Sequence, residues 1–371
     1  MNRLALESAK LSIVRQTTGY PALMWLGSAC RQFEPELVLL DLEDPSSASG
    51  CLREIQARCP RTPVIGAGGT SALRESLRAS GIAQFLAYPL EREPLDSAIA
   101  AAIRSLDPNP SQNLFCFLPA KAGSGASTLA LSTATVLAST RDHRVLCMEA
   151  DLRSGMLGEM AGVPARGSTQ SALAFASEID PLRWHNFISR RHGVDFLLAS
   201  AEMHHGLPQW HHYYLLLRFL QGRYESIVVD LPELVNSGTE EILRHARAVF
   251  LVTTQEPCAL QLAKRRSVEL VGRGVPADKI QVVINAWNQT DIGLDDIKKY
   301  LSCPVAARIP EDKRGIRAAM TDYRLPLPTS LAPGRAIRQF AERLAAGCAQ
   351  LEEAEEQPRW SSLRRLLAIG A

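Results

Sequence analysis

Short apolar runs alternate with longer amphipathic stretches along most of this chain. A short apolar run bounded by turn residues is typical of a buried strand, whereas apolar residues that recur every three or four positions favour a helix. Strands that alternate with helices predict a parallel sheet with helices on both faces. Ligands of such folds bind at the carboxyl ends of the strands. We therefore expect an α/β fold with a mostly parallel sheet and with binding residues just after strands.

The pattern divides the chain into two α/β units and a tail. Residues 1–105 predict a small domain, 106–112 a Pro/Asn/Ser-rich linker, 113–350 a larger domain, and 351–371 an acidic spacer followed by an amphipathic helix. In the small domain the predicted strands are 35–42, 62–67 and 84–87, and the predicted helices are 48–58, 71–80 and 91–106. In the larger domain the strands are predicted within 115–119, 144–151, 194–199, 225–230, 248–257, 279–285 and 303–312, and helices at 127–138, 215–222, 258–271 and 335–347.

Residues 115–129 have the order strand, glycine-containing turn, helix. That order suits an anion, because small residues let successive backbone N–H groups close around it and the helix N-terminus adds a positive dipole end. The phosphate-loop spacing G-x-x-x-x-G-K-[ST] places Gly125 as its second glycine and Ser127 as its hydroxyl residue. Ala120 replaces the first glycine, and Ala126 replaces the phosphate-binding lysine. A glycine-rich turn without a ligand remains the alternative. The expected nucleotide-binding residues of this loop are Lys121, Ala122, Gly123, Ser124, Gly125, Ala126, Ser127 and Thr128.

A second apolar run, Glu225–Leu231, passes through Asp230 and is followed by Pro232. Phosphate-loop proteins use such an acid at a strand end to place a carboxylate beside a phosphate-bound Mg²⁺. The hydroxyl of the loop is the usual second protein ligand. We therefore expect Ser127 and Asp230 to bind Mg²⁺.

The amino-acid composition excludes few classes of protein. The 371 residues are 46% hydrophobic and 22% charged, as in ordinary globular proteins. A net charge of +2 gives no argument for nucleic acid, and the basic run 264–266 is typical of a solvated helix face, so we expect no nucleic-acid partner. Eight dispersed cysteines, with Cys116 and Cys147 in apolar strands, favour a reduced, cytoplasmic compartment. The sequence opens without a signal peptide and lacks an apolar run of roughly 18 residues, so any membrane contact is expected to be peripheral.

Four histidines lie near the start of the predicted helix that ends at 222, but none has a cysteine or carboxylate at metal-ligand spacing. We predict surface positions rather than a metal site for them. They are His204, His205, His211 and His212.

The C-terminal segment predicts a short amphipathic helix after the acidic run 352–356. A basic helix that carries tryptophan suits the membrane interface. A helix packed on its own domain, or a frayed tail, explains the pattern equally well. The apolar face would be formed by Trp360, Leu363, Leu366 and Leu367.

The string 121–128 resembles KGGxGKTT, the deviant phosphate loop of the MinD/ParA ATPases. Segments 144–155, 225–232, 248–257, 279–285 and 303–312 resemble strands and switch regions of that family in the same order. The resemblance implies ATP and Mg²⁺ as cofactors, Asp151 and Asp230 as catalytic acids, and adenine contacts from Asn285 and Pro310. It also implies a homodimer in which Lys121 reaches the partner's nucleotide. The departure at Ala126 implies slow or absent hydrolysis.

Residues 1–105 resemble a response-regulator receiver domain, which has a flavodoxin-like fold, with Asp41 at the phospho-acceptor position. Three departures argue against phosphotransfer. The acidic Mg²⁺-binding pair before Asp41 is missing, Tyr88 stands where a lysine precedes the last proline, and only 40 residues precede Asp41. We expect a degenerate receiver that serves as a docking surface.

A receiver-like domain fused to a MinD/ParA-like ATPase resembles the CpaE or TadZ proteins of Flp (tight-adherence) pilus systems. This resemblance implies a localisation factor that recruits pilus and secretion assembly proteins, cytoplasmic and peripherally associated with the inner membrane at a cell pole. Two other interpretations remain. A nucleotide-free scaffold is supported by Ala126 and the degenerate receiver, and a DNA-partition ATPase only by the run 264–266.

Overall fold

The structure of the protein is a computed structural model that describes residues 15–33, 35, 37–60, 62–106, 113–139, 143–200, 208–301, 303–322 and 327–347. Most of the predicted linker 106–112 and the whole predicted tail 351–371 lie outside these residues. The domain boundaries and the apolar face of the tail therefore stay predictions.

The N-terminal part contains a parallel sheet in the order β1-β2-β3, with helices around it. Local sequence explains the helix starts: the Asp44 side chain accepts from the backbone of Ser46, with Pro45 at the first helical position, and Thr70 caps the next helix. The three predicted strands are confirmed with shifted bounds. The elements are α1 (Leu23–Phe33), β1 (Val38–Asp41), α2 (Pro45–Arg58), β2 (Val64–Ala67), α3 (Ser71–Ala79), β3 (Ile82–Leu86) and α4 (Arg92–Leu106).

The larger part is built on an eight-stranded sheet in the order β11-β10-β9-β4-β8-β5-β7-β6, in which β6 alone runs antiparallel to its neighbour. The predicted α/β fold with a mostly parallel sheet is thus confirmed. Its strands are β4 (Leu114–Pro119), β5 (Val145–Glu149), β6 (Ser189–Arg191), β7 (Val194–Leu197), β8 (Ser226–Asp230), β9 (Ala248–Thr253), β10 (Ile280–Trp287) and β11 (Val305–Pro310). Its α-helices are α5 (Ala126–Ala138), α6 (Leu157–Ala161), α7 (Thr169–Ala174), α8 (Pro181–Trp184), α9 (Trp210–Leu220), α10 (Ser237–His245), α11 (Pro257–Gly272), α12 (Leu294–Leu301), α13 (Lys313–Thr321) and α14 (Ala332–Ala345).

Strand β4 lies in the interior of the sheet and is buried on both faces. Alternate residues enter separate cores: Cys116 belongs to one apolar cluster, and Phe117 to the other, where its ring centroid is 5.2 Å from that of Phe250. Burial on both faces explains why the strand reads as a continuous apolar run. Cys116 and Cys147 are both fully buried, as expected for cysteines that act as small hydrophobes.

Helix α9 packs against α4 and α10. His211, on α9, is therefore buried, and burial lowers its pKa to about 4. The predicted surface position is wrong for His211, because α9 packs against several helices, α4 and α10 among them, and periodicity alone does not reveal these contacts. His204 and His205 lie outside the described residues. In the part of the chain that the structure describes, no helix has the length and apolar content needed to cross a bilayer.

Candidate nucleotide-binding site

The loop between β4 and α5 has the backbone geometry of an anion cradle. Gly123 and Gly125 adopt positive φ angles of 80° and 92°, a region that favours glycine. At Gly125 a Cβ would also clash with the Asn285 side-chain amide, which would have to move. At Gly123 a Cβ would meet no heavy atom within 4 Å, so the turn is open there. Helix α5 begins directly after it and directs its N-terminus at the turn.

Asp230 ends β8, the strand between β4 and β5, and therefore lies at the carboxyl edge of the sheet beside the loop. The Ser127 hydroxyl donates a hydrogen bond to the Asp230 carboxylate. Asp230 is 2% exposed. The pKa of this carboxyl is raised to about 7, mainly by burial. The hydrogen bond from Ser127 lowers the pKa, whereas the nearby charges of Glu149 and Asp151 raise it further.

The residues present fit Mg²⁺. Two buried oxygens at the loop, Asp230 Oδ1 and Ser124 Oγ, have no hydrogen-bond partner among the described residues, which is unusual for buried polar atoms. A carboxylate and a hydroxyl are ligands that Mg²⁺ accepts. No three His, Cys, Asp or Glu side chains converge on a metal-sized site in the described ranges. Phosphate oxygens and water would therefore complete the coordination, as is usual for this ion.

The cation of an ordinary phosphate loop is missing. Ala126 is 4% exposed and packs into the core cluster beneath α5, so its place offers neither charge nor a donor side chain. What remains for a phosphate in this loop is a set of backbone N–H groups, the Ser127 hydroxyl and Lys121. Thr128, one position further along α5, is half-buried.

Acidic side chains contact the first two residues of the loop. The Lys121 ammonium lies 3.0 Å from Glu256 Oε2, and this pairing raises the pKa of Lys121. The Ala122 backbone N–H donates to Glu233 Oε2 at 3.0 Å. Neither contact was predicted, because Glu233 and Glu256 are separated from the loop by more than 100 positions and carry no motif of their own.

The two acids after β5 have different environments. Asp151 accepts hydrogen bonds from the backbone of Arg153 and Ser154 and from the Ser154 hydroxyl, so its carboxylate closes the turn that follows it. Glu149 is buried and accepts from the backbone N–H groups of Leu157 at 2.7 Å and Ala199 at 2.8 Å. Burial raises the pKa of Glu149. Glu149 thus ties the turn after β5 to the end of β7, a role that a single sequence does not indicate.

Asn285 and Pro310 lie on neighbouring strands at the same edge of the sheet. The Asn285 side-chain amide donates to the Ser124 carbonyl at 2.8 Å, so it braces the phosphate loop. Pro310 is in register with Trp287, and the Arg308 guanidinium lies 5.4 Å from the Trp287 ring centroid. Adenine contacts from Asn285 and Pro310 stay a prediction.

In the N-terminal part, Asp41 ends β1, as predicted for the phospho-acceptor position. The Tyr88 hydroxyl hydrogen-bonds the Asp41 carboxylate, and the pKa of Tyr88 is raised to about 12, mainly by burial and then by Asp41. Asp41 also accepts from the backbone of Glu43, and its carbonyl accepts from the Tyr20 hydroxyl. A tyrosine hydroxyl supplies no positive charge for a phosphoryl group, and the loss of phosphotransfer stays a prediction.

The basic run on α11 is engaged within the chain. The Lys264 ammonium lies 4.4 Å from the Tyr300 ring centroid, and Arg266 pairs with Glu269 at 2.7 Å. Arg265 is exposed. A run in which two cations have internal partners gives little support to a nucleic-acid surface.

No protein-family model matches the sequence. Two curated relatives are septum site-determining proteins MinD. That of Thermotoga maritima is 29% identical over 136 residues, which are 35% of this chain and 49% of the relative. That of Synechocystis sp. is 26% identical over 137 residues, which are 35% of this chain and 50% of the relative. The chain thus spans about half the length of the curated relatives it matches.

Solved structures with the same fold include a ParA family ATPase from Chlorobium tepidum TLS, with a TM-score of 0.57, 20% identity, and coverage of 62% of this chain and 99% of that one. MinD from Pyrococcus horikoshii OT3, complexed with Mg-ADP, has a TM-score of 0.52 and 19% identity over 62% of this chain and 95% of that one. The MinC:MinD complex of Aquifex aeolicus has a TM-score of 0.54 and 18% identity, with coverage of 63% of this chain and 96% of that one. The chain is thus similar in sequence to MinD proteins over about a third of its length, and it has the fold of the MinD/ParA ATPases. Compared with the deviant loop that the sequence resembles, the chain has the early lysine as Lys121 and alanine in place of the second lysine, at Ala126.

Proposed function

We propose that this protein is a nucleotide-dependent, dimer-forming switch that binds ATP with Mg²⁺ and hydrolyses it slowly or not at all. The observation that supports it best is the pairing of Ser127 with the buried Asp230 at the mouth of an open phosphate loop. A buried carboxylate with an unpartnered oxygen is unfavourable unless a ligand uses it. Mg²⁺ bound there would neutralise phosphate oxygens, and MinD of Pyrococcus horikoshii OT3 was solved with Mg-ADP.

Slow hydrolysis follows from Ala126. A lysine in that place steadies the charge of the transferring phosphoryl group, and this chain has none there. Asp151 and Asp230 remain as the proposed catalytic acids. Because the Asp151 carboxylate is engaged by its own turn, it would have to leave that turn to orient an attacking water.

At the level of the cell, we propose a localisation factor for Flp-type pilus assembly. Support comes from the combination of a MinD/ParA-type ATPase fold with a receiver-like N-terminal part in which Tyr88 hydrogen-bonds the Asp41 carboxylate. Such a part would bind pilus or secretion proteins. The dimer would place two of these N-terminal parts side by side at an inner-membrane site near a cell pole. The A. aeolicus MinC:MinD complex shows that a MinD protein can bind another protein.

The nucleotide-free scaffold is the second candidate, and one observation favours it. Glu233 and Glu256 already occupy donors that a phosphate would use. DNA partition is supported less, since Lys264 and Arg266 have partners inside the chain.

Titration of the full chain with labelled ATP and Mg²⁺ tests the proposal, with mass photometry as the readout of dimers. We expect saturable binding and ATP-dependent dimers for the natural protein. Lys121→Ala should keep most of the monomer's ATP binding but lose the dimers, because the proposed contact of Lys121 is to the partner's nucleotide. Lys298→Ala, a lysine of α12 that has no role in the proposal, is the control. Absence of saturable binding would leave the scaffold as the better description.

The tail gives a separate prediction. Removal of residues 358–371 should lower co-sedimentation with anionic liposomes severalfold, most strongly in the presence of ATP, since two short helices on a dimer bind far better than one. Trp360→Ala should reproduce most of the loss, while Ser362→Ala should not. Equal co-sedimentation of the full chain and the truncated chain would assign the tail to a protein contact or to no contact.

A further inference from the structure

Two acidic side chains from separate elements meet the same short turn. Glu233 lies between β8 and α10, and its Oε2 accepts from the Ala122 N–H at 3.0 Å. Glu256 directly precedes α11, and its Oε2 lies 3.0 Å from the Lys121 ammonium. An exposed backbone N–H and an ammonium are the two kinds of donor through which loops of this type hold phosphate.

Beyond Ala122 the turn is held by its own backbone and by Asn285: the Ser124 N–H donates to the Lys121 carbonyl, and the Ser124 carbonyl accepts from Asn285. The open space at Gly123 and the unpartnered, buried Ser124 Oγ lie one and two positions beyond Ala122. The positive φ angles of Gly123 and Gly125 keep the cradle shape. The carboxylates therefore take two donors at one end of the loop without collapsing it.

We propose that Glu233 and Glu256 compete with the phosphates of the nucleotide for the loop. In the nucleotide-free protomer Glu233 holds the Ala122 N–H and Glu256 holds the Lys121 ammonium. Glu233 must leave when the protomer's own nucleotide takes the Ala122 N–H, and Glu256 must leave when Lys121 turns to the partner's nucleotide. This inference rests on the proposed function.

Ala126 makes this competition more effective than it would be in a loop with a lysine there. Lys121 is already paired with Glu256. The pKa of Asp230, raised mainly by burial, is raised further by Asp151, which lies close to it at the same edge of the sheet. Lys313 approaches Glu256 but is itself paired with Glu311 at 2.8 Å. Several carboxylates therefore lie near the loop and repel the phosphates of an incoming nucleotide. Release of Glu233 removes one source of this repulsion.

The test uses the full chain and a fluorescent ATP analogue with Mg²⁺. Glu233→Ala should tighten binding by roughly three- to tenfold, since it removes one competing hydrogen bond and one charge. Glu256→Ala should lower the protein concentration at which ATP-dependent dimers form, because Lys121 is then free for the partner's nucleotide. Glu225→Ala is the matched control, since Glu225 pairs with Arg144 at the opposite end of the sheet and should leave both values unchanged.

Hydrogen exchange in the absence of nucleotide gives a second readout. The Ala122 amide should exchange more slowly in the natural protein and in Glu225→Ala than in Glu233→Ala, because only the last lacks the acceptor. Equal exchange in all three proteins contradicts the proposal. So does unchanged ATP affinity of Glu233→Ala when the natural protein binds ATP. If the natural protein and both loop variants fail to bind ATP while exchange still differs, the proposed function is wrong and the carboxylate contact stands.

Discussion

Replacing Asp230 by Asn is expected to stabilise the nucleotide-free protein at pH 8 and to weaken strongly the proposed Mg²⁺-dependent binding of nucleotide. The carboxyl is buried, one of its oxygens lacks a partner among the described residues, and its pKa is raised to about 7. Each unit of pKa difference between folded and unfolded chain corresponds to about 1.4 kcal/mol. The ionised carboxylate therefore destabilises the fold, and Asn removes that charge.

The sign of the pH dependence follows from the direction of the shift. The folded-state pKa is above the ordinary value of 3.8, so between these values the unfolded chain has lost a proton that the folded chain keeps. The contribution of Asp230 to stability is thus highest below about pH 4 and falls as the pH rises towards about 7. Asn leaves an unpaired amide N–H, which costs roughly 1–3 kcal/mol. The net gain of Asp230→Asn should be about 1–3 kcal/mol at pH 8 and close to zero at pH 5.

Urea unfolding of the natural protein and of Asp230→Asn at pH 5 and pH 8 measures this difference in the free energy of unfolding. Asp195→Asn is the matched control: Asp195 is also a buried strand aspartate, but it pairs with Arg190 at 2.6 Å and accepts from Tyr224. Its substitution should destabilise at both pH values. Nucleotide affinity of Asp230→Asn should fall by roughly 100-fold or more, because even the partners of metal ligands are worth 10–100-fold. If Asp230→Asn has a lower free energy of unfolding than the natural protein at pH 8, the ionised Asp230 carboxylate does not destabilise the fold.

Restoring the lysine with Ala126→Lys should tighten ATP binding by roughly one to two decades, since a charge-assisted contact to phosphate is worth about 1.5–3 kcal/mol. Phosphate release should rise with it, because the same charge stabilises the transferring group. Isothermal titration and a phosphate-release assay measure the two effects.

The control for this variant is Ala126→Met, which adds a straight side chain of similar length without charge. Because Ala126 is buried in the cluster under α5, Lys and Met at this position must both be accommodated in the same limited space. Only lysine should tighten ATP binding. If Ala126→Lys folds and binds ATP no better than the natural protein, the phosphates do not lie where the loop places them.

The sequence predicted those parts of the molecule that depend on local pattern. Strand β4 was predictable because burial on both faces requires a continuous apolar run. The pairing of Ser127 with Asp230 was predictable because the order of motifs along the chain places both residues at the carboxyl edge of one sheet.

What escaped prediction depends on contacts between distant positions. Glu233 and Glu256 reach the loop from over 100 residues away, and Asn285 braces the Ser124 carbonyl from 161 residues away. Burial of His211 was missed because amphipathic spacing reports one apolar face, whereas α9 is covered by α4 as well as α10. The spacing of a single element contains no information on such partners.

The buried carboxylate of Glu149 joins two segments through one side chain, with a backbone N–H of Leu157 on one oxygen and that of Ala199 on the other. A displacement of the turn after β5 cannot occur without breaking or carrying along the end of β7. Events at the phosphate end of the sheet would therefore be transmitted sideways, across β5 to its neighbour. A protein that binds residues 198–200 would therefore contact a segment that Glu149 joins to the turn after β5.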